Sequence, residues 1–119
     1  MNKRIVTIVG ARPQFIKAAA LSREFQGHSD IEEILIQTGQ HFDKDMSDIF
    51  FDELNIPKPK YFLDIHSSSH GQMTGQMLVT IEDALLKEKP DIVLVYGDTN
   101  STLSGALAAS KLHIPVAHV

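Results

Sequence analysis

A chain of 119 residues with 43% hydrophobic and 22% charged residues has the size and composition of one globular domain. It contains no cysteine, which excludes a disulfide framework, thiolate metal sites and cysteine nucleophiles. A net charge of -4 and a pI near 5.8 argue against a dedicated nucleic-acid binder, and no run of about 18 apolar residues is present to cross a membrane.

The cations are unevenly placed. Lys3, Arg4, Arg12, Lys17 and Arg23 all precede the first acidic residue, Glu24, so the amino-terminal stretch suits an anionic partner. A basic transit peptide would share that bias, but the apolar run Ile5 to Val9 is short and ends in a Gly-x-x-Pro turn. The expected location is the cytoplasm.

In chain order, Ile5 to Val9 is a β-branched run with no polar side, as a strand covered on both faces requires. Pro13 suits the first turn of a helix, and helix formers run from Gln14 to Phe25. Ile31 to Gln37 reads as a second strand. Met46, Ile49, Phe50 and Leu54 have helical spacing within 42–54, and Pro57 and Pro59 stop that helix. Tyr61 to Leu63 reads as a short third strand and Ser67 to Gly71 as a loop. Met73, Met77, Ile81 and Leu85 recur every four residues, predicting a helix to about Lys89. Asp91 to Tyr96 is the strongest strand signal, a helix spans about Thr99 to Leu112, and Ile114 to Val119 is a last strand.

Alternating strands and helices imply a parallel sheet with right-handed crossovers, hence a Rossmann-like three-layer α/β/α domain. The last strand has no following element to complete its cover, so the chain is expected to be an incomplete amino-terminal domain of a longer protein.

In such sheets ligands bind beyond the carboxyl ends of the strands. Three loops there carry unusual chemistry. Gly10-Ala11-Arg12-Pro13 combines a tight turn, a fixed helix start and a cation at the positive end of a helix dipole, a set that can hold a phosphate, with Lys17 one turn further. It equally describes a well-capped helix with solvated cations. It is neither G-x-G-x-x-G nor a Walker sequence, which disfavours dinucleotide and P-loop chemistry. Gly97-Asp98-Thr99-Asn100-Ser101-Thr102 follows the strongest strand; it can cap a helix, yet it also gathers hydroxyls, an amide and a carboxylate. Because a carboxylate repels phosphate, Asp98 is better suited to act as a base or to accept a sugar hydroxyl. Thr38-Gly39-Gln40-His41 follows the second strand. His66 and His70 stand four apart near Asp64, but in a loop this is weak evidence for a metal.

Taken together, Gly10-Ala11-Arg12-Pro13 with Lys17, Thr38-Gly39-Gln40-His41, Val95-Tyr96-Gly97-Asp98-Thr99 and Pro115-Val116-Ala117-His118-Val119 resemble the amino-terminal half of the non-hydrolysing UDP-N-acetylglucosamine 2-epimerases. Four motifs at successive sheet-edge positions, in order along nearly the whole chain, are far more specific than any one. The resemblance implies the first domain of a two-domain fold of the glycosyltransferase-B type, a homodimer when full length, and a role in making surface-polysaccharide precursors. It implies inversion of carbon 2 of a UDP-linked 2-acetamido sugar by elimination and re-addition of UDP, with no nicotinamide, metal or other cofactor.

By the same resemblance, Asp98 and Lys17 are catalytic, while Gly10, Arg12, Pro13 and Thr99 contact the UDP-sugar. Gln40 and His41 fall in a loop that in bacterial members helps bind a second, activating UDP-sugar. Two departures stand out: Gln14 where many members have Glu, and Tyr96 where many have His. They suggest a subgroup acting on a modified sugar, of a diacetamido or fucosamine type. The remaining catalytic carboxylate is expected beyond Val119, which would leave this stretch inactive alone.

Two rivals remain. A response-regulator receiver has this length and alternation but needs an acidic pair after its first strand, where Gly10-Ala11-Arg12 stands. A glycosyltransferase-B type glycosyltransferase or UDP-sugar-binding domain would share the fold, and fold alone does not separate it from an epimerase.

Overall fold

The structure is a computed structural model and describes residues 3–10, 12–38, 60–63, 69–97 and 100–119. Five strands, β1 (Lys3–Val9), β2 (Ile31–Gln37), β3 (Tyr61–Phe62), β4 (Ile92–Val95) and β5 (Val116–His118), form one sheet in the order β3-β2-β1-β4-β5. Every pairing is parallel. Among the described residues three helices cover it: α1 (Arg12–Gln26), α2 (His70–Glu88) and α3 (Asn100–Lys111). The order 3-2-1-4-5 is that of the first five strands of a Rossmann sheet, whereas a receiver would be ordered 2-1-3-4-5, so strand order removes that rival. The helix expected over 42–54 lies outside the described residues.

The central strand decides the layering. Along β1, Val6 and Ile8 point to one face and Ile5, Thr7 and Val9 to the other, as the period of two requires. The first face joins Ile34, Ile36, Val93 and Val95 to Met77, Ile81, Ala84 and Leu85 of α2 and Ala108 and Ala109 of α3. The second joins Leu35, Leu94 and Tyr96 to Ala18 and Ala19 of α1. Three layers result, as expected. The buried stripe of α3, Ser101, Ser104, Gly105, Ala108 and Ala109, is made of small residues, so this helix lies close on the sheet and contributes little bulk of its own.

One carboxyl group intrudes on the α1 side. Glu33 takes a hydrogen bond from the Thr7 hydroxyl at 2.5 Å. Burial pushes its carboxyl above the ordinary range, opposed by the Ser22 and Thr7 hydroxyls.

Helix boundaries differ from the sequence expectation at α2. His70 and Gly71, read as loop, belong to the helix, because Ser69 caps it by accepting from the Gln72 amide at 3.2 Å. At the other end Lys89 is left-handed with φ 49, and its amide bonds the Leu85 carbonyl at 2.9 Å. Pro90 then bars continuation.

Charged groups fasten the amino edge of the sheet. The Arg4 amide donates to Asp91 at 2.8 Å and its guanidinium to the Glu88 carbonyl at 2.6 Å. The Glu88 carboxylate, only 7% exposed, meets Lys60 at 3.0 Å and accepts from the Tyr61 hydroxyl. Chiefly through Tyr61, with Lys60 and Arg4 adding and burial opposing, its carboxyl is held below the ordinary value. A group so depressed stabilises the fold above its unfolded pKa and loses that contribution as pH falls through the folded one. Tyr61→Phe is therefore expected to cost about 1 kcal/mol at neutral pH. Urea melts should show the difference closing in acid below the carboxylate range.

Candidate functional site at the carboxyl edge of the sheet

The chain runs from β1 outward through β2 to β3, then crosses back to β4 on the other side of β1. The crevice between β1 and β4 is the switch point where such sheets bind ligands. In register, Val9 faces Gln37 and Ile8 faces Val95. Continuing each pairing past the strand ends sets Gly10 level with Thr38 on one side and Gly97 on the other. The three loops singled out by sequence therefore leave the sheet in one row, the middle one starting at Gly10.

That row is closely packed. A Cβ on Gly10 would stand 2.1 Å from Ser101 Oγ and 2.8 Å from Thr38 Oγ1. Those two hydroxyls bond each other at 2.8 Å in a buried contact, which ties the end of β2 to the first turn of α3 directly over Gly10. The Thr102 hydroxyl donates to the Tyr96 carbonyl at 2.6 Å, and a His118 ring nitrogen lies 2.6 Å from the Gly97 carbonyl. Gly97 has φ +73, a conformation that favours glycine. Its amide donates to the Val119 carbonyl at 3.1 Å, extending the β4–β5 pairing beyond the ladder. At α2, Asn100 contacts His70 at 3.2 Å.

Gln14, third residue of α1, is 5% exposed. Its Oε1 accepts the Gly10 amide at 2.8 Å, while a Cβ on Gly97 would meet its Nε2 at 3.1 Å. One side chain thus touches both sides of the crevice. The sequence reading marked Gln14 only as a departure from a pattern; a polar residue in a first helical turn otherwise reads as surface or as a cap.

The electrostatics favour an anion here. α1, α2 and α3 all begin at this edge, and none has an acidic residue in its first turn, so three positive dipole ends stand unneutralised within the helices themselves. Tyr96, buried just before Gly97, has its hydroxyl pushed up to about 12 by burial, the charge of Glu33 adding.

Of the expected site residues, Gly10 lies in the row, Arg12 and Pro13 open α1 beside it, and Lys17 is exposed on α1. The side chains of Arg12 and Pro13, and all of Gln40, His41, Asp98 and Thr99, lie outside the described residues. The loops carrying Arg12 and Asp98 do leave neighbouring strands at the same edge. His70, weighed as half of a metal pair, heads α2 against Asn100, and His66 lies outside the described residues. Of the polar cluster, Ser101 ties two loops together through Thr38, and Thr102 closes its own loop onto Tyr96.

Gly10→Ala is expected to displace Ser101 and break its bond to Thr38, costing about 1–3 kcal/mol as overpacking does. Adding Ser101→Ala should recover part of the loss. Urea midpoints of the single and double variants check both.

The UDP-N-acetylglucosamine 2-epimerase family model matches residues 23–119. The UDP-2,3-diacetamido-2,3-dideoxy-D-glucuronate 2-epimerase of Pseudomonas aeruginosa is 65% identical over 98% of this chain and 33% of its own length. A UDP-N-acetylglucosamine 2-epimerase homolog of Methanococcus maripaludis is 66% identical over 98% of this chain and 32% of its own. The solved Methanocaldococcus jannaschii UDP-GlcNAc 2-epimerase, in complex with UDP-GlcNAc and UDP, is 52% identical with a TM-score of 0.90, covering 98% of this chain and 32% of that one. The chain spans about a third of the length of the curated relatives it matches.

Proposed function

Because the chain belongs to the UDP-N-acetylglucosamine 2-epimerase family, we propose that the whole protein inverts carbon 2 of a UDP-linked 2-acetamido sugar. The described residues then form part of the amino-terminal domain of a glycosyltransferase-B type enzyme. What carries the reading is the crevice between β1 and β4, where the loops bearing Arg12 and Asp98 leave adjacent strands among three helix amino termini.

The chemistry asks for that combination. The C2 proton has no adjacent carbonyl to acidify it, so it departs only as the C1–O bond to UDP breaks. The C2–H electron pair becomes the C1=C2 double bond, a carboxylate takes the proton, and UDP leaves with the C1–O pair. Re-addition of UDP at C1 with protonation of C2 from the opposite face gives the epimer. Cations must hold the departing diphosphate and carboxylates must stand near C1 and C2. We assign Arg12, Lys17, Gly10 and Pro13 to the diphosphate side, with Lys17 in the catalytic set, Asp98 to proton transfer and Thr99 to the sugar. Gln40 and His41 are assigned to a second UDP-sugar site. The remaining catalytic carboxylates belong to the chain after Val119.

The departures at Gln14 and Tyr96, together with the likeness to an enzyme of a diacetamido sugar, support a modified acetamido sugar as substrate. We place the enzyme in the cytoplasm, making precursors of surface polysaccharide. We further propose a homodimer: Val79 and Leu86 on α2 and Leu103 and Leu107 on α3 are apolar and 37–62% exposed on one side of the sheet. Sedimentation of the full-length protein should give twice the chain mass.

In the full-length protein, Asp98→Asn should cut solvent-deuterium incorporation at C2 of the UDP-sugar by about 100-fold or more. Undiminished exchange would take Asp98 out of proton transfer. No exchange by the unsubstituted protein would leave a UDP-sugar-binding domain in place of an epimerase.

A further inference from the structure

We infer that Gln14 is the positioning residue of this site: it fixes the spacing between the loop bearing Arg12 and the loop bearing Asp98, and so governs the chemical step more than substrate binding. The inference rests on the epimerase reading above.

Gln14 turns its amide toward the sheet although it stands in the first turn of a helix, and a polar group so buried is costly unless it is bonded. One contact is accounted for by ordinary capping, since a Gln at the third helical position commonly reaches back to the preceding backbone. The Gly10 amide, at 2.8 Å, answers to that. The second contact does not. A Cβ on Gly97 would come within 3.1 Å of Nε2, 3.8 Å of Cγ and 3.9 Å of Cδ, so the nitrogen end of the side chain packs beside Gly97.

The position matters because the backbone ladder stops short of it. The β1–β4 pairing ends at Ile8 and Val95. Beyond that level Gln14 reaches from the Gly10 amide to the side of Gly97. Gly97 is held in the left-handed conformation, and Asp98 is the next residue in the chain. A shift in the Gln14 side chain would move the start of the Asp98 loop against the start of the Arg12 loop. A small displacement of that kind is felt where bond breaking at C1 and proton removal at C2 must coincide. An amide suits the place because its oxygen accepts from Gly10 while its uncharged nitrogen end packs beside Gly97; a carboxylate brings a charge there and an alkyl group loses the acceptor.

The test uses the full-length protein carrying Gln14→Leu or Gln14→Glu. With Gln14→Leu, kcat is expected to fall by about 10- to 100-fold, with KM for the UDP-sugar changing by less than about threefold. C2 deuterium exchange should slow in step with kcat. Gln14→Glu keeps the acceptor for Gly10 and, when protonated, is again uncharged beside Gly97. Its activity relative to the unsubstituted enzyme should therefore rise as pH falls, while that of Gln14→Leu should not. Unchanged kcat, or a raised KM with kcat retained, would overturn the inference, and a lowered melting temperature with normal kcat would reduce Gln14 to a helix cap. Should the unsubstituted protein show no exchange at C2, the epimerase reading fails on its own account. Amide hydrogen exchange then decides the spacing role: faster exchange at both Gly10 and Gly97 in Gln14→Leu supports it, and unchanged exchange at Gly97 refutes it.

Discussion

The missing side chain of Gly10 is what lets the carboxyl edge close up. With no Cβ there, the Thr38 and Ser101 hydroxyls meet over the end of β1, and β2 is joined to α3 across the central strand. That contact crosses from one half of the sheet to the other at the point where the chain reverses its direction of winding. The loops after β1, β2 and β4 therefore have a common floor, and what rises from that floor is held relative to the same three backbone positions.

Much of the architecture was legible in the sequence because burial on two faces leaves a plain trace. Ile5 to Val9 and Ile92 to Val95 are apolar on both alternating sets, which only a strand covered by helices on each side tolerates. Strand order was not legible, since no local signal says on which side of β1 the fourth strand will pair. That order is what separates this fold from a receiver. Helix α2 began three residues before its apolar repeat because Ser69, one of three consecutive serines, acts as the cap. Glu33 was likewise hidden: nothing in the run Ile31 to Gln37 singles it out, yet it takes a bond from Thr7 inside the α1 layer.

The site shows the same division. Gly10, Arg12 and the Gly97-Asp98 pair were found from residue type and from their place after strands, which is information a linear chain carries. Gln14 and Tyr96 were visible as departures from a family pattern, without any sign that they act in one place. The fold brings them to a single junction, with the Gln14 amide resting on Gly97, the residue after Tyr96. Pairing of this kind depends on a crossover between strands more than eighty residues apart in sequence, so spacing rules cannot reach it.

The two ends of the sheet are fastened by different kinds of contact. At the amino end, Arg4, Lys60, Glu32 and Glu88 form ionic links. At the opposite end, the ties among Thr38, Ser101, Thr102, Gln14, Gly10 and Tyr96 join hydroxyls, a carboxamide and backbone groups, all electrically neutral. Scaffolding of that sort has little to rearrange when a highly charged guest docks or its leaving group gains negative charge mid-reaction. The framework can stay still while the field inside it changes, and the nearby cations and helix amino termini are left to answer the guest.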